Sequence, residues 1–107
     1  MNQYTIGFYK TSSGRRPVFE YVKDKNKEDQ GRISRKYNLL EQQGPFLSMP
    51  HAKRLTKYIY ELRPEGVRLL YYWHGKEAVF THAVDKKDFR QSDITIADNR
   101  RKEAEGK

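Results

Sequence analysis

"YELRPEGVRLLYYWHGK", residues 60–76, is the stretch on which the fold turns. Aromatic and β-branched runs flank Pro64-Glu65-Gly66, and a second turn, "HGKE", follows at 74–77. Connections this short force antiparallel neighbours, and Gly66 and Gly75 can supply the positive φ that such turns need. The pattern predicts strands over 57–63, 67–73 and 78–84. Three charges, Glu61, Arg63 and Arg68, stand inside what otherwise reads as a buried hairpin.

Side chains alternate across a strand, so parity decides which of these charges can meet. Lys57, Ile59, Glu61 and Arg63 share one face of the first strand, with Tyr58, Tyr60 and Leu62 on the other. Arg68 goes with Leu70 and Tyr72, opposite Val67, Leu69, Tyr71 and Trp73. On the third strand Phe80, His82 and Val84 project together, and continued alternation brings Lys86 to the same side. With the faces in register, Glu61, Arg63, Arg68, His82 and Lys86 are predicted to converge.

Outward from the hairpin, "YTIGFY" (4–9) reads as a first strand, and Pro17 suits the first turn of a short helix carrying Val18, Phe19 and Val22. The charged run 23–29 joins it to a second helix. There Ile33, Tyr37 and Leu40 recur at i, i+4 and i+7 before a stop at Gly44-Pro45. The segment "PFLSMPHAKRL" reads as a loop. A last helix begins at Ser92 or Asp93, with Ile94, Ala97 and Arg101 at helical spacing, and frays from about residue 103. The order β-α-α-β-β-β-α predicts an α+β domain with an antiparallel or mixed sheet, two helices on one face and a late helix near the other. At 107 residues the chain, 1–107, reads as a single domain. It has no cysteine, no signal-peptide pattern and no apolar run long enough for a membrane span, and is read as cytoplasmic.

Twenty-two Lys+Arg against 14 Asp+Glu give a formal charge of +8, spread over both halves of the chain. Such a balance suits a protein that meets phosphate or an acidic partner. Metal-free RNA cleavage needs a base for the 2′-hydroxyl proton, cations for the charge developing on phosphorus, and an acid for the leaving oxygen. Glu61 can serve as the base, Arg63 and Arg68 can hold the phosphate, Lys86 or Lys87 can neutralise the transition state, and His82 can supply a proton. The alternative is that Glu61 and Arg63 are edge charges that keep the sheet soluble and that Arg68 pairs with one of them.

The basic segment with His51, Lys53 and Arg54, together with Lys57 and Arg90, forms a second set of candidates for RNA-backbone contact. Tyr71, Tyr72 and Trp73 can be base-stacking residues or core, and alternation favours core for Tyr71 and Trp73. His51, His74 and His82 lack cysteine partners and helical metal spacing, so neither a zinc site nor a cofactor is expected. P-loop, dinucleotide and G-x-S-x-G motifs are absent from the sequence.

Taken in order, the basic loop, "KYIYELR", "GVRLLYY" and "VFTHAVDKK" ahead of a helix with internal Ile and Ala resemble the HigB-like, phage-derived branch of the RelE/ParE toxin superfamily. The opening strand and "PVFEYV" extend the resemblance over nearly the whole chain. It implies a RelE-like fold and a type II toxin that cleaves mRNA without a metal, typically on the ribosome, leaving a 2′,3′-cyclic phosphate. A helix-turn-helix antitoxin of the HigA kind is implied as partner, with operator DNA met only through it. Arg68 matches the arginine that contacts the scissile phosphate in RelE-like enzymes, Glu61 a position held by a base or a lysine, and Lys86-Lys87 the basic pair ending the last strand. The sequence departs from the family in "DFRQSD", which replaces a T-P run, and in lacking a tyrosine after the lysine pair. Two other functions compete: a ParE-like gyrase inhibitor, and a basic nucleic-acid-binding module without catalysis.

Overall fold

The computed structural model describes residues 3–106. A five-stranded mixed sheet carries helices on both faces, built in the order β1 (Thr5–Phe8), α1 (Pro17–Lys23), α2 (Lys27–Gln43), β2 (Ala52–Arg54), β3 (Tyr60–Leu62), β4 (Val67–His74), β5 (Glu77–Asp85) and α3 (Gln91–Glu105). The strand order is β1-β5-β4-β3-β2, with β1 parallel to β5 and every other pair antiparallel. The α+β class and the two central hairpins agree with the sequence reading. Among the described residues no helix is long and apolar enough to cross a membrane.

The first core lies between the sheet and α1–α2. Val18, Ile33 and Leu40 from the helices meet Leu62, Leu69, Tyr71 and Phe80 from the strands, all nearly or fully buried. This settles the aromatic run: Tyr71 packs against Phe80 in a tilted pair at 4.9 Å between ring centroids, Trp73 packs against the same cluster, and Tyr72 is buried on the other face. None of the three offers a stacking platform for bases. The second core, under α3, joins Ile59, Leu70, Tyr72 and Val79 to Ala97.

Several boundaries differ from expectation. Ala52–Arg54 forms an edge strand inside the segment read as a loop, so the chain has one strand more than predicted. Lys57 and Tyr58 lie in the β2–β3 connection rather than in the strand. The N–H groups of Leu55 and Thr56 donate to Ile59 O, and the Thr56 hydroxyl accepts from the N–H groups of Tyr58 and Ile59. A threonine closes this turn where glycine or proline would have announced it. Lys57 therefore does not share a strand face with Glu61.

At α2 the Asn26 side chain accepts the Asp29 N–H at 2.8 Å, so the helix begins inside the charged run and only residues 24–26 link α1 to it. At α3 the cap is Arg90, and Asp93 reaches back to accept the Arg90 N–H at 2.7 Å. The stripe that α3 buries is Asp93, Ala97 and Arg101, with one apolar residue in three. The helix runs through Glu105, with Tyr9 donating to Glu103 at 2.9 Å and Arg101 to Glu105 at 3.4 Å. Lys107 lies outside the described residues.

The largest correction concerns parity on β5. Leu70 pairs with His82 but Tyr71 pairs with Phe80, so Thr81 is an extra residue in a β-bulge. Phe80 enters the first core, while His82 faces α3; the two do not project together. Lys86 fails to continue the alternation for a different reason. The strand ends at Asp85 in a 3₁₀ turn over Lys86–Asp88.

Gly44 ends α2 at φ 55°, ψ −132°, and a Cβ there would stand 2.4 Å from the Tyr4 ring. Gly66 also has positive φ, 76°, but open space around it. Gly44→Ala should therefore cost about 3 kcal/mol and Gly66→Ala about 1 kcal/mol, the latter from backbone strain alone. Urea unfolding of the two variants checks the ranking.

Candidate functional site

The hairpin brings Glu61, Arg63 and Arg68 together at the end of the sheet where β3 turns into β4. Arg63 Nη1 donates to Glu61 Oε1 at 2.6 Å, and Arg68 Nε lies 3.8 Å from the same oxygen. Parity places Glu61 and Arg68 on the α3 face, and both are buried, at 2% and 7% exposure. Arg68 is further fixed by donating from Nη1 to Val67 O at 2.7 Å and Pro64 O at 3.3 Å. Burial, reinforced by the neighbouring Arg63 charge, pulls the Arg68 guanidinium below its ordinary range, and Glu61 offsets part of this. One carboxylate thus stands between two guanidinium groups. Arg63 is the more accessible, its side chain 26% exposed.

The other candidates fall elsewhere. Glu61, Leu70 and His82 form one row across three strands, so Leu70 separates the histidine from the carboxylate by two strand spacings, about 10 Å. His82 Nε2 instead pairs with Asp93 Oδ1 at 2.7 Å, and its Nδ1 lies 3.5 Å from Arg100 Nη1. Lys86 and Lys87 are exposed and turn to the α1–α2 face of the sheet. They line a cavity of about 550 Å³ with Lys25, Arg32, Gly66 and Asp85, and the Lys86 N–H donates to Gly66 O at 2.9 Å. The predicted convergence of five charges is therefore a triad, with the lysine pair across the β3–β4 turn and the histidine one strand beyond.

In the second set, His51 is held by Lys36, whose Nζ lies 2.7 Å from Nδ1, while Lys53 and Arg54 are exposed on edge strand β2. Arg54 is tied to the carbonyls of Thr56 and Lys57, and Lys57 lies over the Tyr58 ring. Arg90 caps α3 and is remote in role from this strip. Among the described residues no three His, Cys, Asp or Glu side chains cluster as a metal ligand set.

Two groups escape the sequence reading. Asp85 accepts from Lys25 Nζ at 2.8 Å and from the Tyr21 hydroxyl, joining α1 to the end of β5. These partners are 60 or more residues apart, so no local pattern announces them. Arg32, Arg35 and Lys36 lie at helical spacing on α2, which was a legible signal, overshadowed by the apolar stripe of the same helix.

Residues 20–102 match the family model described as Phage derived protein Gp49-like (DUF891), and the chain belongs to that family. No curated protein matches the chain.

Because Glu61 is buried between two arginines, Glu61→Gln should destabilise the fold by about 3 kcal/mol, since it leaves two cations without their shared counter-charge. Chemical denaturation at neutral pH measures this. Asp85 is held below its ordinary value of 3.8 by the hydrogen bonds from Lys25 and Tyr21, while burial and Asp85 push the Tyr21 phenol up to about 12. A depressed folded-state value stabilises above the unfolded one and is lost as pH falls through it. The stability gap between wild type and Asp85→Asn should thus be full at pH 7 and close as the pH drops below about 4.

Proposed function

We propose that this Gp49-like protein is the toxin of a type II toxin–antitoxin pair and acts as a metal-free mRNA endoribonuclease working on the ribosome. The observation that carries the reading is the Glu61–Arg63–Arg68 triad, a carboxylate set beside two guanidinium groups at a chain turn. Membership of a phage-derived family supports the toxin role, and the placement of Arg68 after the turn matches the resemblance to RelE-like enzymes. The same resemblance supports a helix-turn-helix antitoxin as partner.

A scissile phosphate binding at this turn takes Arg68 and Arg63 as its bidentate partners. In doing so it draws Arg63 away from Glu61 and replaces one anion by another at the guanidinium. The carboxylate so uncovered accepts the proton of the 2′-hydroxyl. O2′ then bonds to phosphorus, the P–O5′ bond breaks with its electron pair leaving on O5′, and that oxygen takes a proton from the ammonium of Lys86 or Lys87. The products are a 2′,3′-cyclic phosphate and a 5′-hydroxyl. His82, engaged by Asp93, fits better as the residue that positions α3 than as the proton donor.

The burial of Glu61 favours one competing reading, a basic RNA-binding module in which the triad only holds the turn together. Primer extension on mRNA after brief induction separates the two. The nuclease reading expects discrete new 5′ ends with wild type and at least a hundredfold fewer with Arg68→Ala, folding being verified by circular dichroism. Equal cleavage by Arg68→Ala would overturn the site, and intact mRNA with double-strand DNA breaks would point to a gyrase inhibitor.

A further inference from the structure

A cleft of about 490 Å³ opens between α2 and the β3–β4 turn, beside the triad but on the α1–α2 side of the sheet. Its walls bring four cations, Arg32, Arg35, Lys36 and Arg63, against one carboxylate, Glu65. That carboxylate is already engaged, since Arg32 Nε lies 3.3 Å from it and the same guanidinium reaches Asp29 and Glu28 at 3.0 and 2.5 Å. Among the described residues Lys36 meets the His51 ring and no carboxylate, so its charge is not neutralised there. Arg35 is exposed on the same helix face. The uncompensated charge of the cleft is therefore concentrated on Arg35 and Lys36.

Arg63 connects this cleft to the triad, because its side chain both lines the cleft and bonds Glu61. A strand whose phosphate lies at Arg63 and Arg68 meets Arg35 and Lys36 as it continues across the turn. Leu39 and Pro50 in the same wall add apolar surface against which a base can lie. A positively charged groove that tracks the backbone holds single strands without sequence readout.

We propose that the α2 cleft is a binding site for the phosphodiester backbone of single-stranded RNA next to the scissile phosphate, with Arg35 and Lys36 as its phosphate-binding residues. The proposal rests on the ribonuclease reading of the triad and extends it to residues that do no chemistry.

The test uses a fluorescein-labelled 12-nucleotide RNA carrying 2′-O-methyl groups, which cannot be attacked at O2′, titrated by anisotropy across a salt series. The full chain is compared with Arg35→Gln/Lys36→Gln and with Arg68→Ala. Losing two single-strand phosphate contacts should lower the slope of log K against log[salt] by about 1.4 and weaken binding about tenfold at 0.1 M salt. Cleavage of mRNA on ribosomes by the double variant should need about tenfold more protein to reach half its maximal rate. Unchanged affinity and slope would overturn the proposal, as would loss of binding to an acidic polyglutamate peptide with RNA binding intact. The two readings fail separately: reduced RNA affinity in the double variant with no cleavage by any form keeps the cleft and removes the nuclease. Unaltered affinity with cleavage lost only in Arg68→Ala does the reverse.

Discussion

Thr81 is one residue too many for the β4 strand it faces, and the two cores depend on how that excess is absorbed. Before it, Val79 turns toward α3 and Phe80 toward α1 and α2; after it, His82 faces α3 and Ala83 the helical pair. Thr81 itself is fully buried and donates its hydroxyl to Ala97 O at 3.1 Å, while its carbonyl accepts from Arg100 Nη1 at 2.7 Å. The hydroxyl and carbonyl of the bulge residue are therefore both satisfied by α3. This explains how a helix with one apolar residue in its buried stripe stays on the sheet: it is held by hydrogen bonds aimed at a local irregularity, and by Arg101 lying 3.9 Å above the Tyr58 ring.

The division of residues between faces was legible in the sequence wherever strands are regular. Tyr60 and Leu62, Val67 through Trp73, and the helical stripe Ile33, Tyr37 and Leu40 all lie where period-2 and period-3.6 spacing put them. Two kinds of feature were hidden. A bulge leaves no mark in an alternating pattern, so Phe80 and His82 read as neighbours on one face. The β2–β3 connection is closed by Thr56 hydrogen bonds, and without glycine or proline it reads as strand.

The charged face was legible in part for the same reason. Glu61, Arg63 and Arg68 are brought together by a turn only four residues long, whose geometry short-range rules capture. Lys86, Lys87 and His82 depend on where a strand stops and where it bulges. The face holds more than charge: Ile59, Leu70 and Tyr72, which parity puts beside Glu61 and Arg68, form a second core because α3 covers them. Only the end of the sheet beyond that helix is left to charge. The triad occupies that end, and this limits it to three residues.

The parallel pairing of β1 with β5 sets the order in which the chain can be assembled during synthesis. Thr5–Phe8 emerges first, yet its only partner strand is Glu77–Asp85, near the other end of the sequence. Such a strand has no ladder partner until most of the polypeptide exists, and contacts this distant are slow to form. Tyr9 is bound still later, by Glu103. A ribosome making this protein thus holds a nascent chain whose sheet cannot close, and folding to completion is deferred until the last helix has been released.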